Sequence, residues 1–310
     1  RGGPPYVADG PPALVLLSIL RLLVGVSILS FASVADWRTR RVGDGPWALM
    51  AGAGLALLAV ELASTPSDPL PYLILIPPAL LLLDVLWERG GGRFAYASTL
   101  LFYGLSGLAV LLLLIGFPGQ GVDEQGLIVR GLGVLTVILL GYVFYYLGLL
   151  KGGADAKAFM AIGVLVPGYP SLGPLPLLAV GPPLLAPFEL LFPFAMTTLL
   201  WGALLLIGLP IAFLLRNLIR RDRRWPQMLL GYKAPVDQLP PFAWTLQEVK
   251  DGEVLHRVLP RTTTQEADTE ALRAAGVHRV WVTPQIPFLI PLTVGFLLAF
   301  LVGNPLFAVF

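Results

Sequence analysis

Lys151-Gly152-Gly153-Ala154-Asp155-Ala156-Lys157 lies between two long apolar runs and sets one carboxylate, Asp155, at their junction. An ionisable side chain at a bilayer edge is costly, so it marks a functional site and sends the search for a partner elsewhere in the chain. The surrounding runs decide the fold class. Of 310 residues, 56% are hydrophobic and only 13% charged, and several runs reach the ~20 apolar residues needed to cross a bilayer. The chain therefore reads as a membrane protein.

Outward from the heptapeptide, helical spans are predicted at 13–35, 46–63, 70–87, 95–116, 127–150, 156–166, 188–215 and 285–303. This gives an all-α polytopic membrane protein of about eight transmembrane helices. The prolines at 167, 170, 174, 176, 182, 183 and 187 exclude one regular helix there, leaving an extracytoplasmic loop or irregular backbone packed against other helices. The only substantial polar stretch is 216–284. There Phe242 to Val249 and Glu253 to Leu259 read as two strands around Lys250-Asp251-Gly252, because Asp-Gly is a hairpin signal. Thr263 with Glu266 resembles a capping box opening a short helix that Gly276 ends, and Val277 to Thr283 reads as a third strand. The expected division is a transmembrane catalytic core at 1–215, a small α+β cytoplasmic domain at 216–284, and a final transmembrane helix at 285–310.

Basic residues orient the chain. Arg38, Arg40, Arg41, Arg89, Arg93, Lys151, Lys157 and the cluster from Arg216 to Arg224 fall in alternate loops, which the positive-inside rule puts in the cytoplasm. Asp36, at the end of the first run, then shares the cytoplasmic face with Asp155. Arg1 to Pro12 lacks the basic and cleavage regions of a signal peptide.

Composition removes whole classes of chemistry. With no cysteine there are no disulfides, thiolate nucleophiles or cysteine-held zinc. The two histidines, His256 and His278, lie outside the apolar runs, which excludes a Ser/His dyad or an HExxH zinc site at membrane depth. Neither basic run has the aromatic platform of a nucleic-acid site, so no nucleic-acid partner is expected.

Among the acids near apolar runs, Glu61 and Glu189 read as markers of helix ends in the headgroup zone, and Asp84 as a structural pair or a support for the site. Asp36 and Asp155 differ. Asp36 closes a helix at its negative pole, whereas Asp155 opens one where N-terminal amides favour the charged form. Two carboxylates in unequal environments suit an aspartyl protease, with Asp155 as base. Gly152, Gly153 and Ala154 lack bulk, so an extended peptide has room beside Asp155. Lys157, two positions on, faces away from it on a helix.

These residues carry a family resemblance. Asp36-Trp37-Arg38-Thr39-Arg40-Arg41-Val42-Gly43-Asp44 resembles the first signature of prepilin-type peptidases, and Gly152-Gly153-Ala154-Asp155-Ala156-Lys157 resembles their Gly-x-Gly-Asp-x-Lys motif, with Ala154 in place of the second glycine. Together they look like an archaeal preflagellin/prepilin (type IV pilin) signal peptidase. The resemblance implies a catalytic pair, Asp36 and Asp155, with Gly152, Gly153, Ala154, Lys157, Arg38 and Arg40 as motif residues about the substrate's approach. It implies no metal and no organic cofactor, and as partners the lipid bilayer and the signal peptides of archaellin and pilin precursors, cut at the cytoplasmic membrane face. Readings from other classes are an ion- or proton-coupled transporter, whose acids would cluster near mid-bilayer, and a non-enzymatic pilus-assembly scaffold.

Overall fold

The computed structural model describes residues 12–64, 68–87, 89–150, 152–250, 252–258 and 265–308, the side chains of 265–268 excepted. Lys151, the Asp251 of the hairpin turn and the capping box expected of Thr263 with Glu266 lie outside them.

Among the described residues eleven helices follow in chain order: α1 (Pro12–Thr39), α2 (Gly45–Ser64), α3 (Ile76–Leu86, entered through a 3-10 turn at Leu70–Leu75), α4 (Arg93–Gly116), α5 (Val122–Tyr146), α6 (Gly153–Leu165), α7 (Pro182–Leu191), α8 (Phe194–Ile219), α9 (Gln227–Leu230), α10 (Gln265–Ala274) and α11 (Leu289–Leu301). Five of these, α1, α2, α4, α5 and α8, are long and apolar enough to cross a membrane. The segment at Leu70–Leu86 and helix α11 are apolar but shorter. Of the about eight spans expected from the sequence, five therefore have the length among the described residues. Thirteen-residue α6 is only ~20 Å long, against ~30 Å of hydrocarbon.

Two compact units form, one running to Gly202 and resuming at Phe288, the other Ala203–Pro287. In the first, α6 is the innermost element, buried at every position from Ala158 to Leu165. A helix apolar all round belongs in the middle of a bundle. Small residues let its neighbours come close: a Cβ on Gly54 of α2 would stand 2.6 Å from the Leu165 backbone. The main core joins Leu29, Trp47, Phe159, Ile162, Phe194, Leu292, Phe296 and Phe300 from α1, α2, α6, α8 and α11.

The proline-dense stretch is irregular backbone followed by α7, whose first turn accommodates Pro182 and Pro183 because those positions need no amide donor. The single helix expected over 188–215 is divided. Helix α7 stops at Leu191, and α8 starts at Phe194 after Pro193, since a proline cannot donate back into the preceding turn.

In the second unit, strands β1 (Tyr232–Pro235), β2 (Ala243–Thr245), β3 (Gln247–Lys250), β4 (Glu253–His256) and β5 (Arg279–Pro284) make an antiparallel β1-β5-β2 sheet and a β3-β4 hairpin. The hairpin is in the expected place, with Lys250 opposite Glu253. The strand expected from Phe242 to Val249 is split at Leu246, which is fully buried and bonds Trp281 on one side and Arg257 on the other. Its two halves thus serve different sheets. Gly276 ends α10 in a left-handed conformation at φ 74°. Strand β1 was not foreseen from the sequence.

Candidate active site

Asp36 stands in the last turn of α1. The helix continues to Thr39, and Arg40 then turns left-handed at φ 56° while its amide still bonds the Asp36 carbonyl at 3.0 Å. Thr39 caps the end by donating its hydroxyl to the Ala35 carbonyl at 2.8 Å. The face of α1 that carries Gly25, Leu29, Ala32, Ser33 and Asp36 follows helical spacing, and it packs on α11.

One pair sets the register of that packing. Ser33 and Thr293 exchange a hydrogen bond at 2.8 Å, and the Thr293 hydroxyl also lies 2.7 Å from the Leu289 carbonyl, one turn back on α11. This alignment brings the first amide of α11, that of Leu289, to the Asp36 carboxylate, where it donates a hydrogen bond. Asp36 therefore sits at the end of its own helix and at the beginning of another. The helix-pole contrast expected from the sequence is weakened, because α11 offers its positive end to the carboxylate that α1 holds at its negative one.

Asp155 is the third residue of α6, and Gly152 is the residue before its first turn. The Gly152 amide donates to the Asp155 carboxylate. A side chain at position 152 would collide with that carboxylate, since an added Cβ would lie 2.6 Å from Oδ2. A side chain at 152 would therefore have to displace that carboxylate. Gly153 faces open space, and Ala154 occupies an ordinary helical position and packs on the main core. The departure from a glycine at 154 costs nothing locally, because no left-handed backbone is needed there.

The two carboxylates act on each other electrostatically, although 119 positions separate them in the chain (155 − 36). Arg40 attracts Asp36 through space. Among the described residues, neither Asp36 nor Asp155 forms an ion pair. Arg40 also lies 6.0 Å from the centre of the Trp37 ring, while Arg38 is exposed and joins none of these bonds. Lys157 does face away from Asp155, and it finds Asp44, with Nζ 2.6 Å from Oδ1.

Sequence reasoning did not find Leu289, Ser33 or Thr293, which hold Asp36. The only signals were two hydroxyl residues in otherwise apolar runs, and these are ambiguous without knowing which helices meet. The reading of Glu61 and Glu189 as headgroup-zone markers is corrected. Both are 3% exposed and belong to a closed network in which Glu61 bonds Arg21 at 2.7 Å and Arg130 at 2.8 Å, and Arg130 bonds Glu189 at 3.1 Å. Burial at that depth is sustained by neutralisation within the cluster. Asp84 is paired with Arg89, and Thr99 donates to it at 3.3 Å.

A family model described as Archaeal Peptidase A24 C-terminus Type II matches residues 224–304. The chain is 27% identical over 186 residues to a preflagellin peptidase of Methanocaldococcus jannaschii, covering 57% of this chain and 73% of that protein. It is 25% identical over 190 residues to a preflagellin peptidase of Methanococcus voltae, with the same coverage. These likenesses bear out the resemblance to preflagellin and prepilin peptidases that the two motifs carry.

Proposed function

We propose that this protein is a membrane aspartyl endopeptidase that removes the signal peptides of archaellin and type IV pilin precursors, with Asp36 and Asp155 as its catalytic pair. The observation that carries the reading is that these two carboxylates, each from one of the two motifs, lie near enough to act on each other electrostatically, with no cation bonded to either among the described residues. The likeness to preflagellin peptidases supplies the substrate class. No observation favours the transporter or scaffold readings.

In this chemistry one carboxylate is ionised and takes a proton from the attacking water, while the other is protonated and gives its proton to the scissile carbonyl oxygen. The tetrahedral intermediate then collapses: the C–N bond breaks and the leaving amine takes up a proton. Because the two groups titrate as a unit, the pair holds the shared proton. The Leu289 and Gly152 amides, one on each carboxylate, orient both members. Gly153, which faces open space, leaves room for an extended substrate strand beside Asp155. The basic residues of alternate loops assign this end of the bundle to the cytoplasmic face.

The test is cleavage of a preflagellin precursor by wild type, Asp36→Ala and Asp155→Ala in proteoliposomes. Wild type is expected to release the signal peptide and both variants to leave the precursor whole. Cleavage retained by either variant refutes the pair.

A further inference from the structure

Acid–base work by a pair needs a fixed separation between its members, and Asp36 and Asp155 stand on different helices, so something must hold the segments that carry them. Helix α6 is fixed to α2 at its far end, where the Leu165 backbone lies against Gly54. Asp36 belongs to α1, and the chain from Asp36 passes through the left-handed turn at Arg40 to Asp44, whose carbonyl accepts the Ala48 amide at 3.0 Å as α2 begins. Asp44 is thus the return leg of the turn that carries Asp36. On α6, Lys157 stands two residues, about 200° of helix, from Asp155. Its ammonium reaches Asp44 at 2.6 Å, and both side chains are partly shielded from solvent.

We infer that Lys157 and Asp44 form a latch that sets the working separation of Asp36 and Asp155: a positioning pair that ties the turn leaving Asp36 to the helix that carries Asp155. The inference rests on the proposed aspartyl pair. It joins the last residue of one motif to the last residue of the other, so that each motif brings both a reacting carboxylate and one half of a clamp. A salt bridge of this exposure serving only stability would be worth little and would leave turnover unchanged. A latch affects turnover, because small displacements of reacting groups are costly to rate.

The experiment measures kcat and KM for cleavage of a preflagellin precursor by the full chain in proteoliposomes. It compares wild type, Lys157→Met, Asp44→Asn, Lys157→Arg and the exchanged pair Asp44→Lys/Lys157→Asp, with Asp36→Ala and Asp155→Ala alongside. Lys157→Met and Asp44→Asn are each expected to lower kcat about 10- to 100-fold, with KM held within about twofold. Lys157→Arg and the exchanged pair are expected to recover most of the loss. Near-isosteric Asp44→Asn carries the test if Lys157→Met does not yield folded protein. Unchanged kcat in the single variants, or losses that simply multiply in the exchanged pair, overturns the latch while leaving the aspartyl pair standing. Cleavage by Asp36→Ala or Asp155→Ala overturns the pair itself.

Discussion

Four carboxylates occupy two sites in the helical unit, and the sites are built on opposite principles. Glu61 and Glu189 share Arg21 and Arg130 and are almost wholly buried. Asp36 and Asp155 are half-buried and act on each other, with backbone amides rather than cations bonded to them. Arg21 and Asp36 are both on α1, fifteen residues or ~22 Å of helix apart, so one helix serves both. In the glutamate site every charge has an opposite neighbour, and such a cluster fixes α1, α2, α5 and α7 against one another. In the aspartate site neither carboxylate has an ion pair among the described residues and the two act on each other, which is poor for stability and suits proton transfer.

The largest effect that bears on this contrast concerns activity. Asp155→Asn is expected to cut cleavage roughly 10²- to 10⁴-fold with no fall in thermal unfolding temperature, since among the described residues Asp155 has no ion pair to lose and its burial disfavours a charge. A marked loss of stability in that variant would make the aspartates structural and erase the distinction. The converse is Glu61→Ala, which strands Arg21 in the interior, leaves Arg130 with Glu189 alone, and is expected to cost about 3–5 kcal/mol. Thermal unfolding in detergent measures it, and cleavage per folded molecule should stay near wild type. Glu189→Gln keeps an acceptor for the Tyr169 amide and removes one partner of an arginine that still holds Glu61. Its cost is expected to be smaller, about 1–3 kcal/mol. A cost equal to that of Glu61→Ala would show that the network has no centre at Glu61.

The smallest effect lies in the second unit and shows how a neutral polar network differs from both charged ones. Gln247 Oε1 accepts the Trp281 amide at 2.7 Å, so its amide nitrogen is the group that faces His256 Nε2 at 3.4 Å. His256 must accept there, which requires neutral imidazole. Burial, then Arg224 and Lys233, depress its protonation below the ordinary value of 6.5. For a depressed histidine the stabilising contribution is complete above about 6.5 and is lost as pH falls. Hydrogen exchange of the β3-β4 amides should therefore quicken, beyond its intrinsic pH dependence, between pH 7.5 and 5.5, and His256→Gln should flatten that difference.

Much of the helical unit was legible because hydrophobic length and proline position are local properties. The boundaries of α1, α2 and α4 fall close to the apolar runs that predict them. The break at Phe192 and Pro193 was missed because apolarity continues straight across it. The split of β2 from β3 at Leu246 was missed for a related reason: alternation along one strand does not say which partner each half will pair with. The acids divide the same way. Asp36 and Asp155 stood out by their motifs, whereas Glu61 and Glu189 looked like surface markers because their arginines lie 40 and 69 positions away for Glu61 and 59 for Glu189.

By itself the sequence determined that the chain is a helical membrane protein without cysteine chemistry, and it singled out Asp36 and Asp155 as lying in two stretches that resemble motifs of one peptidase type. These follow from residue identity and local spacing. Only the tertiary structure decided what surrounds those carboxylates. The Leu289 amide at Asp36, the Ser33–Thr293 register beneath it and the Lys157–Asp44 contact each depend on which helices meet and at what height. That choice is made by small residues and buried side chains packing to interior density, a property of the assembled bundle that no single stretch of chain encodes.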